Sequence, residues 1–287
     1  MNIGRAIIHA ASRFSSRSIQ DSHIEARMLL CHLLKVPPAG LYTYPERLLS
    51  EGQLASMENM IERRLSGEPL AYILQQREFY SLSFYVDSNV LIPRQETELL
   101  VEHAVHYCRM AGNGASGPIM VADIGTGCGA IAVSMAVSLP NIKIYAVDIS
   151  GKALEVAGIN AAMHGVENKI DFMRGDLMGS IPEAVDLLCA NLPYIRSGDL
   201  SLLPSCIIGH EPLPALDGGA DGLDLIRRLV HTAHAKIKPH GCMLLEIGYD
   251  QSETVANLVK ASYPAAALAF HKDLNGHRRV AEVRFCP

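Results

Sequence analysis

The stretch VADIGTGCGAIAVSMAV, residues 121–137, decides the fold. It begins with a short apolar run, passes through a turn with glycines at positions 125, 127 and 129, and ends in a second apolar run. Glycine adopts left-handed backbone conformations without steric cost, so closely spaced glycines favour a tight turn. The stretch therefore predicts a buried strand, a tight turn and a helix in succession.

Similar short apolar runs recur along the chain and alternate with helical patterns. They span residues 143–149, 169–176, 184–191 and 242–248. Continuous apolar strands that alternate with helices form a parallel sheet covered on both faces, so the sequence predicts an α/β fold. Asn275-Gly276 lies between two further strand-like runs and predicts an antiparallel hairpin near the end of the chain.

The chain divides into three predicted segments. Residues 1–74 have helical apolar spacing, with a capping box at Ser50 and Gln53 and a helix stop at Gly67. Residues 75–92 are rich in aromatic and β-branched residues and predict a β-hairpin connector. We therefore expect a small all-α domain, a connector, and an α/β domain over residues 93–287.

Composition disfavours several classes of protein and site. The net charge of −5 provides no overall basic field, so we expect no direct nucleic-acid binding. Seven cysteines, an odd number without C-x-x-C spacing, indicate a reducing compartment and no metal site. No run of 18 apolar residues is present, so we expect no membrane span. The basic, acid-free first 20 residues are similar to a transit peptide, but their helical period favours an amphipathic helix and a cytoplasmic protein.

The glycine turn predicts a nucleoside site. The following helix presents free N–H groups and the positive end of its dipole, while the glycines allow a ligand close to the main chain. Asp148 closes the next strand, where its carboxylate can accept hydrogen bonds from both hydroxyls of a ribose. Asp176 and Leu177 follow the third strand and offer an acceptor and an apolar surface to an adenine. The turn also matches the dinucleotide pattern, so by itself it leaves the identity of the nucleoside open.

Residues 187–195, LLCANLPYI, lead from an apolar strand directly into a turn. The side-chain oxygen of Asn191 can accept one hydrogen bond from a planar NH2 group, and the carbonyl of Leu192, kept extended by Pro193, can accept the other. Tyr194 offers a flat face that stabilises positive charge on a nearby nitrogen. Because such nitrogens are poor nucleophiles, orienting their lone pair supplies much of the rate of attack. The turn predicts a clamp for an amide or amine nitrogen.

The glycine turn DIGTGCG together with an N-x-P-Y sequence resembles the class I S-adenosylmethionine-dependent methyltransferases. The stretches GEPLAYILQQREFYSLSFYVDSNVLIPRQETELLVE (67–102) and HEPLPALDGGADGL (210–223) resemble the release factor glutamine methyltransferase family, and the likeness covers essentially the whole chain. The resemblance implies a Rossmann-like domain with seven strands. It also implies methyl transfer from S-adenosylmethionine to the glutamine of the Gly-Gly-Gln motif in class I peptide chain release factors, with the helical domain gripping the release factor.

The resemblance further implies roles for individual residues. Asn191, Pro193 and Tyr194 would be catalytic, and the substrate glutamine would be bound by Asn191, Leu192, Pro193 and Tyr194. Cofactor contacts are implied for Gly125, Thr126, Gly127, Cys128, Gly129, Asp148, Asp176, Leu177 and Asn191. Arg94, Glu96 and Glu98 either shape the glutamine pocket or the site of the cofactor's amino-acid end, or they form a capping cluster of the helix over 95–108.

One position departs from the family pattern and leaves alternatives open. Leu192 stands where the family usually has proline, and N-L-P-Y is the form found in enzymes that dimethylate adenines of ribosomal RNA. An N6-adenine methyltransferase is therefore the alternative, although the lack of a basic face and the match over 67–102 favour glutamine. A nicotinamide-dependent dehydrogenase and a non-catalytic adaptor are further hypotheses. Glu211 lies in a loop after the turn at 191–194 and is a candidate for lining the site entrance, and Glu246 ends an apolar run, where a carboxylate either stabilises the fold or belongs to the site.

Overall fold

The structure is a computed structural model and describes residues 1–112 and 117–286. Its contacts divide the chain into two compact units, Met1–Gln76 with Pro204–His210, and Arg77–Leu203 with Glu211–Pro287. The short segment 204–210 belongs to the first unit although the predicted boundaries place it in the α/β domain. Among the described helices, none combines the length and apolar character needed to cross a membrane.

The helices and strands are numbered in chain order. The helices are α1 (Ile3–Ser15), α2 (Ser22–Leu34), α3 (Pro38–Thr43), α4 (Glu51–Leu65), α5 (Leu70–Leu74), α6 (Thr97–Ala111), α7 (Ala130–Ser138), α8 (Gly151–Met163), α9 (Ser205–Ile208), α10 (Asp224–Ala233) and α11 (Ser252–Ser262). The strands are β1 (Arg77–Phe79), β2 (Leu82–Phe84), β3 (Ile119–Ile124), β4 (Ile142–Asp148), β5 (Ile170–Arg174), β6 (Val185–Ala190), β7 (Ile237–Glu246), β8 (Ala267–Lys272) and β9 (Arg278–Arg284).

The first unit is helical and has its own apolar core. Its fully buried side chains include Ala10 and Phe14 of α1, Leu29 and Leu30 of α2, and Ile61 of α4. Burial of one such large apolar side chain contributes about 1.5–3 kcal/mol. The predicted capping box at the start of α4 is present, because the Ser50 and Gln53 side chains each accept a hydrogen bond from the other residue's main chain.

The second unit begins with the predicted hairpin of β1 and β2 and contains a seven-stranded sheet. The strand order is β5-β4-β3-β6-β7-β9-β8. The pairs from β5 to β7 are parallel, whereas β9 is antiparallel to both β7 and β8. The predicted α/β fold with seven strands is therefore confirmed, and the predicted hairpin is present as β1 and β2 within the second unit.

Helices cover the sheet and complete the core of this unit. Ile226 and Leu229 of α10 and Val255 of α11 pack with buried sheet residues such as Leu188. Helices α6 and α7 contact one another, and α7 also contacts β4 and β5. The strand β3 is buried on both faces, as a continuous apolar run requires.

The strand β7 starts earlier than the sequence predicts. The prediction began at Cys242, whereas the strand begins at Ile237. The intervening Lys238, Pro239 and His240 are polar or lack an N–H, and the φ of His240 is +63°. These residues have no strand-like sequence pattern. The early start of β7 is therefore visible only in its pairing with β6, where the register shifts between Val185 and Leu187.

Candidate active site

The carboxyl ends of β3, β6 and β7 lie side by side in the sheet. The last residue of β6 pairs with the last residue of β3 and with the next-to-last residue of β7. Gly125, Asn191 and Glu246 therefore lie along the same edge. The chain winds outward in opposite directions from β3 and β6, and open α/β sheets bind ligands in the crevice at such a switch point.

The turn after β3 depends on its three glycines. Gly125, Gly127 and Gly129 have φ values of +73°, +56° and +81°, which favour glycine. A Cβ on Gly125 would lie 3.1 Å from Leu192 Cδ2, and a Cβ on Gly129 would lie 3.1 Å from Ala157 Cβ. A Cβ on Gly127 would meet only a carbonyl oxygen at 4.0 Å. The outer two glycines therefore permit close packing, and the middle one leaves space beside the main chain for a ligand.

A buried carboxyl group supports the glycine turn from inside. Asp123 is fully buried, and its Oδ2 accepts hydrogen bonds from Thr126 Oγ1 at 2.7 Å and from the N–H of Ala132 at 3.2 Å. Burial raises the pKa of Asp123 to about 7. Because Ala132 is in the first turn of α7, Asp123 joins the glycine turn to the helix start.

Two residues of the predicted cofactor set have their side chains directed inward. Thr126 is buried and donates to Asp123, while Cys128 is buried and its carbonyl accepts a hydrogen bond from Asn160 Nδ2 at 2.8 Å. Burial raises the pKa of the Cys128 thiol to about 12, so the thiol is protonated at neutral pH. A ligand in the crevice would therefore meet Thr126 and Cys128 through the main chain.

Asp148 lies beside the glycine turn. Its Oδ2 accepts a hydrogen bond from the N–H of Gly127 and its Oδ1 one from the N–H of Ser150, both at 2.9 Å. A carboxylate oxygen has room for a second donor, so the half-buried Asp148 keeps acceptor capacity for the hydroxyls of a ribose. The N–H of Gly127 meanwhile orients the carboxylate.

Asp176 and Leu177 lie beside α10. Asp176 Oδ2 accepts a hydrogen bond from Arg228 Nη2 at 2.5 Å, and both side chains are about half exposed. The φ of Leu177 is +50°, which places it in a left-handed turn. Both residues line a groove with Arg227 and Arg228 of α10. An adenine contact at this pair stays a prediction, and it would require the Asp176 carboxylate to accept a hydrogen bond from the adenine amino group in addition to the one from Arg228.

The structure gives Asn191 a defined orientation. Its Nδ2 donates a hydrogen bond to Thr97 Oγ1 at 2.9 Å. Thr97 is the first residue of α6 and is only 3% exposed. Among the described residues, none donates to the side-chain oxygen of Asn191 or to the carbonyl of Leu192. These are the two acceptors that the predicted clamp requires.

Glu246 lies behind Tyr194. Its Oε1 accepts a hydrogen bond from the Tyr194 hydroxyl at 3.2 Å, and its Oε2 has no hydrogen-bond partner within the described part of the chain. Glu246 is 1% exposed, and burial raises its pKa to about 7 against smaller lowering effects from Thr97 and Arg279. Burial also raises the pKa of Tyr194, so its ring is neutral. Thr97 and Glu246 thus support the two side chains of the predicted clamp from behind.

The main chain of the clamp is held by the loop that precedes α10 and by the residue that precedes α11. Gln251 is buried, and its Nε2 donates to the carbonyl of Tyr194 at 2.9 Å. A Cβ on Gly218 would lie 2.7 Å from the carbonyl oxygen of Pro193, and one on Gly222 would lie 2.3 Å from that of Tyr194. Loop contacts of this kind, rather than sheet pairing, fix the turn after β6.

Arg94 is paired with Glu211. Its Nη2 donates to Glu211 Oε1 at 2.5 Å, and the other carboxylate oxygen accepts from the N–H of Ile92 at 3.2 Å. The Glu211 side chain is 1% exposed. Glu98 accepts a hydrogen bond from the N–H of Tyr80 at 2.9 Å, which differs from a helix cap. The substrate role of Arg94 stays a prediction, and these contacts show that the Arg94–Glu211 pair shapes the segment before α6.

Three residues that support the site are not among those predicted from the sequence. Asp123 interrupts the apolar run of β3, and a carboxylate in a buried strand is a signal that could have identified it. Thr97 and Gln251 carry no such signal. Their importance depends on neighbours 94 and 57 residues away in the sequence.

Two protein families match the chain. The family described as PrmC N-terminal domain matches residues 5–74, and the methyltransferase small domain matches residues 97–203. The first match lies within the helical unit. The second includes the glycine turn and the residues of the predicted clamp.

Curated relatives match most of the chain. The release factor glutamine methyltransferase of Coxiella burnetii is 38% identical, with 91% of each chain covered. The release factor glutamine methyltransferase of Thermodesulfovibrio yellowstonii is 36% identical, with 83% of this chain and 84% of the relative covered. A bifunctional methyltransferase of Rickettsia felis is 32% identical over 97% of this chain, which spans 57% of that relative.

Solved structures of low sequence identity share the fold. The catalytic domain of hMettl16 in complex with a MAT2A 3′UTR hairpin aligns with a TM-score of 0.57, 12% identity and 83% coverage of each chain. The 16S rRNA N2 G1207 methyltransferase of T. thermophilus, in complex with AdoMet and guanosine, aligns with a TM-score of 0.51, 15% identity, and coverage of 73% of this chain and 49% of that chain. At these identities the comparison establishes a methyltransferase fold.

Proposed function

The chain belongs to the release factor glutamine methyltransferase family, and from that premise we propose that it methylates class I peptide chain release factors. The methyl group of S-adenosylmethionine is transferred to the side-chain amide nitrogen of the glutamine in the Gly-Gly-Gln motif. The bond from the methyl carbon to sulfur breaks as the carbon–nitrogen bond forms, S-adenosylhomocysteine leaves, and the nitrogen releases one of its two protons to water. Since release factors act in translation, we place the reaction in the cytoplasm. The names of the relatives support the substrate, and the geometry of Asn191 supports the chemistry.

The observation that carries the proposal is the hydrogen bond from Asn191 Nδ2 to Thr97. With its NH2 group held there, Asn191 presents its carbonyl oxygen as an acceptor. The carbonyl of Leu192 is the second acceptor, one residue along the chain. A glutamine side-chain amide donates two hydrogens from one planar nitrogen, so it can bind both acceptors at once.

The residues of the clamp prepare the amide nitrogen for methylation. The Asn191 side-chain oxygen and the Leu192 carbonyl each accept one N–H hydrogen of the substrate amide. These two hydrogen bonds fix the plane of the amide, so the nitrogen lone pair, which is perpendicular to that plane, has one orientation. Fixing this orientation before the reaction lowers the entropic part of the barrier. The face of Tyr194 stabilises positive charge that develops on nitrogen. The hydroxyl of Tyr194, bound to Glu246, keeps the ring in place.

The glycine turn and Asp148 fit the cofactor. Open space beside Gly127 allows close approach to the main chain, and the oriented Asp148 carboxylate can accept hydrogen bonds from ribose hydroxyls. S-adenosylmethionine, when bound, supplies an electrophilic methyl group on a sulfonium centre. The carboxyl ends of β3 and β6 are neighbours in the sheet, so residues that hold the nucleoside and the amide are adjacent.

The helical unit is proposed to bind the release factor. Its match to the PrmC N-terminal domain supports this role. It also exposes Tyr42, Tyr44 and Leu48, with between 64% and 73% of each residue accessible. Aromatic residues are enriched at protein interfaces, so these exposed side chains suit a protein partner.

The substitution of leucine for the usual proline has a packing explanation. Leu192 is buried in the core of the second unit, and its Cδ2 fills the space beside Gly125. The clamp uses only its main-chain carbonyl. The difference at this position is therefore compatible with a glutamine substrate.

Transfer of labelled methyl from S-adenosylmethionine tests the proposal. The substrates are a purified class I release factor, its Gln→Ala loop variant, and naked small-subunit ribosomal RNA. We expect label on the release factor, none on its loop variant, and none on RNA. Label on RNA alone would refute the glutamine assignment in favour of adenine methylation, and no label on any substrate would refute both.

A further inference from the structure

Two histidines and a glutamate meet on the second unit, outside the crevice. His103 of α6 and His271 of β8 stack with ring centroids 3.6 Å apart, and His271 Nε2 lies 2.6 Å from Glu282 Oε2. One potential ligand atom from each residue lies within 4.8 Å of the others. We propose that His103, His271 and Glu282 form a binding site for a divalent transition-metal cation, with Zn²⁺ the best match.

The sheet brings the three side chains together. In the antiparallel pair of β8 and β9, Ala269 is opposite Glu282 and His271 is opposite Val280. His271 and Glu282 are therefore diagonal neighbours on one face of the hairpin. His103 reaches them from α6, so three separate elements contribute to the cluster.

The donor set matches zinc chemistry. Imidazole nitrogen and carboxylate oxygen are common zinc ligands, and two histidines with one glutamate leave a fourth position for water. Bond lengths of about 2.0–2.2 Å require ligand atoms about 3.5 Å apart. The atoms that are up to 4.8 Å apart must therefore approach by about 1 Å, whereas His271 Nε2 and Glu282 Oε2, now 2.6 Å apart, must separate by about 1 Å. Rotation of the half-buried imidazoles can supply that movement.

The neighbouring charges are compatible with a cation. The Glu282 side chain is only 10% exposed, and its Oε1 also accepts a hydrogen bond from Arg284. The Arg284 side chain is 60% exposed and can turn to solvent. Oε2 of Glu282 is hydrogen-bonded to His271 Nε2, and a metal would replace the proton of that bond, which is released to solvent.

A simple ion pair between His271 and Glu282 leaves His103 unexplained. Within the described ranges, no group is hydrogen-bonded to a ring nitrogen of His103, which is half-buried against the second imidazole. A shared metal would bind both rings and the carboxylate. It would also join the β8–β9 hairpin to α6, the helix whose first residue, Thr97, holds Asn191.

Zinc binding to the chelator-treated, full-length protein tests the site. We expect one equivalent of Zn²⁺ to bind by calorimetry and to raise the melting temperature. His103→Ala, His271→Ala and Glu282→Gln should each weaken binding by about 100-fold or more, because loss of an outer-shell partner alone costs about 10–100-fold. His231→Ala, which removes an exposed histidine of α10, is the matched control and should bind like the parent protein.

Equal affinity of the parent protein and the His103→Ala/His271→Ala double variant would overturn the proposal, as would the absence of Zn²⁺ binding. Circular dichroism checks that each variant is folded. If a variant does not fold, Co²⁺ added to the parent protein decides the question. We expect the intense visible absorption of a four-coordinate site, and the weak spectrum of a six-coordinate aqueous ion would contradict it.

Discussion

Thr97→Val removes the group that orients Asn191 while preserving side-chain shape. Thr97 Oγ1 accepts the Asn191 Nδ2 hydrogen bond at 2.9 Å, and Thr97 is 3% exposed. In the free variant, the carboxamide can turn its NH2 group to water. In a productive complex, Asn191 must present its oxygen to the substrate. Its NH2 group then faces the methyl group of the valine side chain that replaces the Thr97 hydroxyl.

In the Thr97→Val variant, the Asn191 NH2 group has no hydrogen-bond acceptor in the productive complex, so the free energy of that complex is raised. An unsatisfied buried donor costs about 1–3 kcal/mol. At about 1.4 kcal/mol for each factor of ten, the value of kcat/KM should fall by about 5-fold to 150-fold. The loss of one hydrogen bond should lower the free energy of unfolding by only about 1 kcal/mol, so the variant should fold.

Initial rates of labelled methyl transfer to a purified class I release factor measure the effect. Thr97→Ser keeps the hydroxyl and is the matched control, so it should recover most of the lost activity. A value of kcat/KM for Thr97→Val within twofold of the parent protein, with Thr97→Ser no better, would refute the orienting role.

Three further changes test the site. Asn191→Ala removes an acceptor of the clamp and should abolish transfer while the melting temperature changes little; near-normal turnover would contradict the clamp. Gly218→Ala places a Cβ 2.7 Å from the carbonyl oxygen of Pro193, so the clamp must move. The rate of transfer should then fall at least tenfold, which corresponds to an increase of ~1.4 kcal/mol in the activation free energy. The control Gly52→Ala, in open space on α4, should leave the rate unchanged in the same assay. Glu246 has a pKa of about 7 in the folded protein against an ordinary 4.5, so its contribution to stability is fully present below pH 4.5 and is lost as pH rises through 7. Glu246→Gln should remove up to about 3 kcal/mol of that decline in the free energy of unfolding, measured by urea denaturation between pH 4.5 and 8, and an unchanged slope would show that Glu246 is not the titrating group.

Local periodicity predicted much of the fold correctly and was wrong about some faces of helices. The strands around the glycine turn and the final hairpin at Asn275-Gly276 were identified because alternation and turn chemistry act over a few residues. The helical period of residues 1–34 places Ile8, Ile24 and Met28 on apolar helix faces, yet the structure leaves these residues 44% to 63% exposed. A broad apolar stripe does not specify which of its edges the neighbouring helices cover.

The sequence by itself determined the glycine turn, the Asn191 to Tyr194 turn and their place at strand ends, since glycine conformation and strand polarity are local properties. Only the tertiary structure decided which side chains support them. Thr97 reaches Asn191 from 94 residues away, and Glu246 reaches Tyr194 from 52 residues away. These contacts depend on the order β3-β6-β7 and on where α6 begins. No spacing along the chain encodes such neighbours, because they follow from how distant strands pair and which helices then cover them.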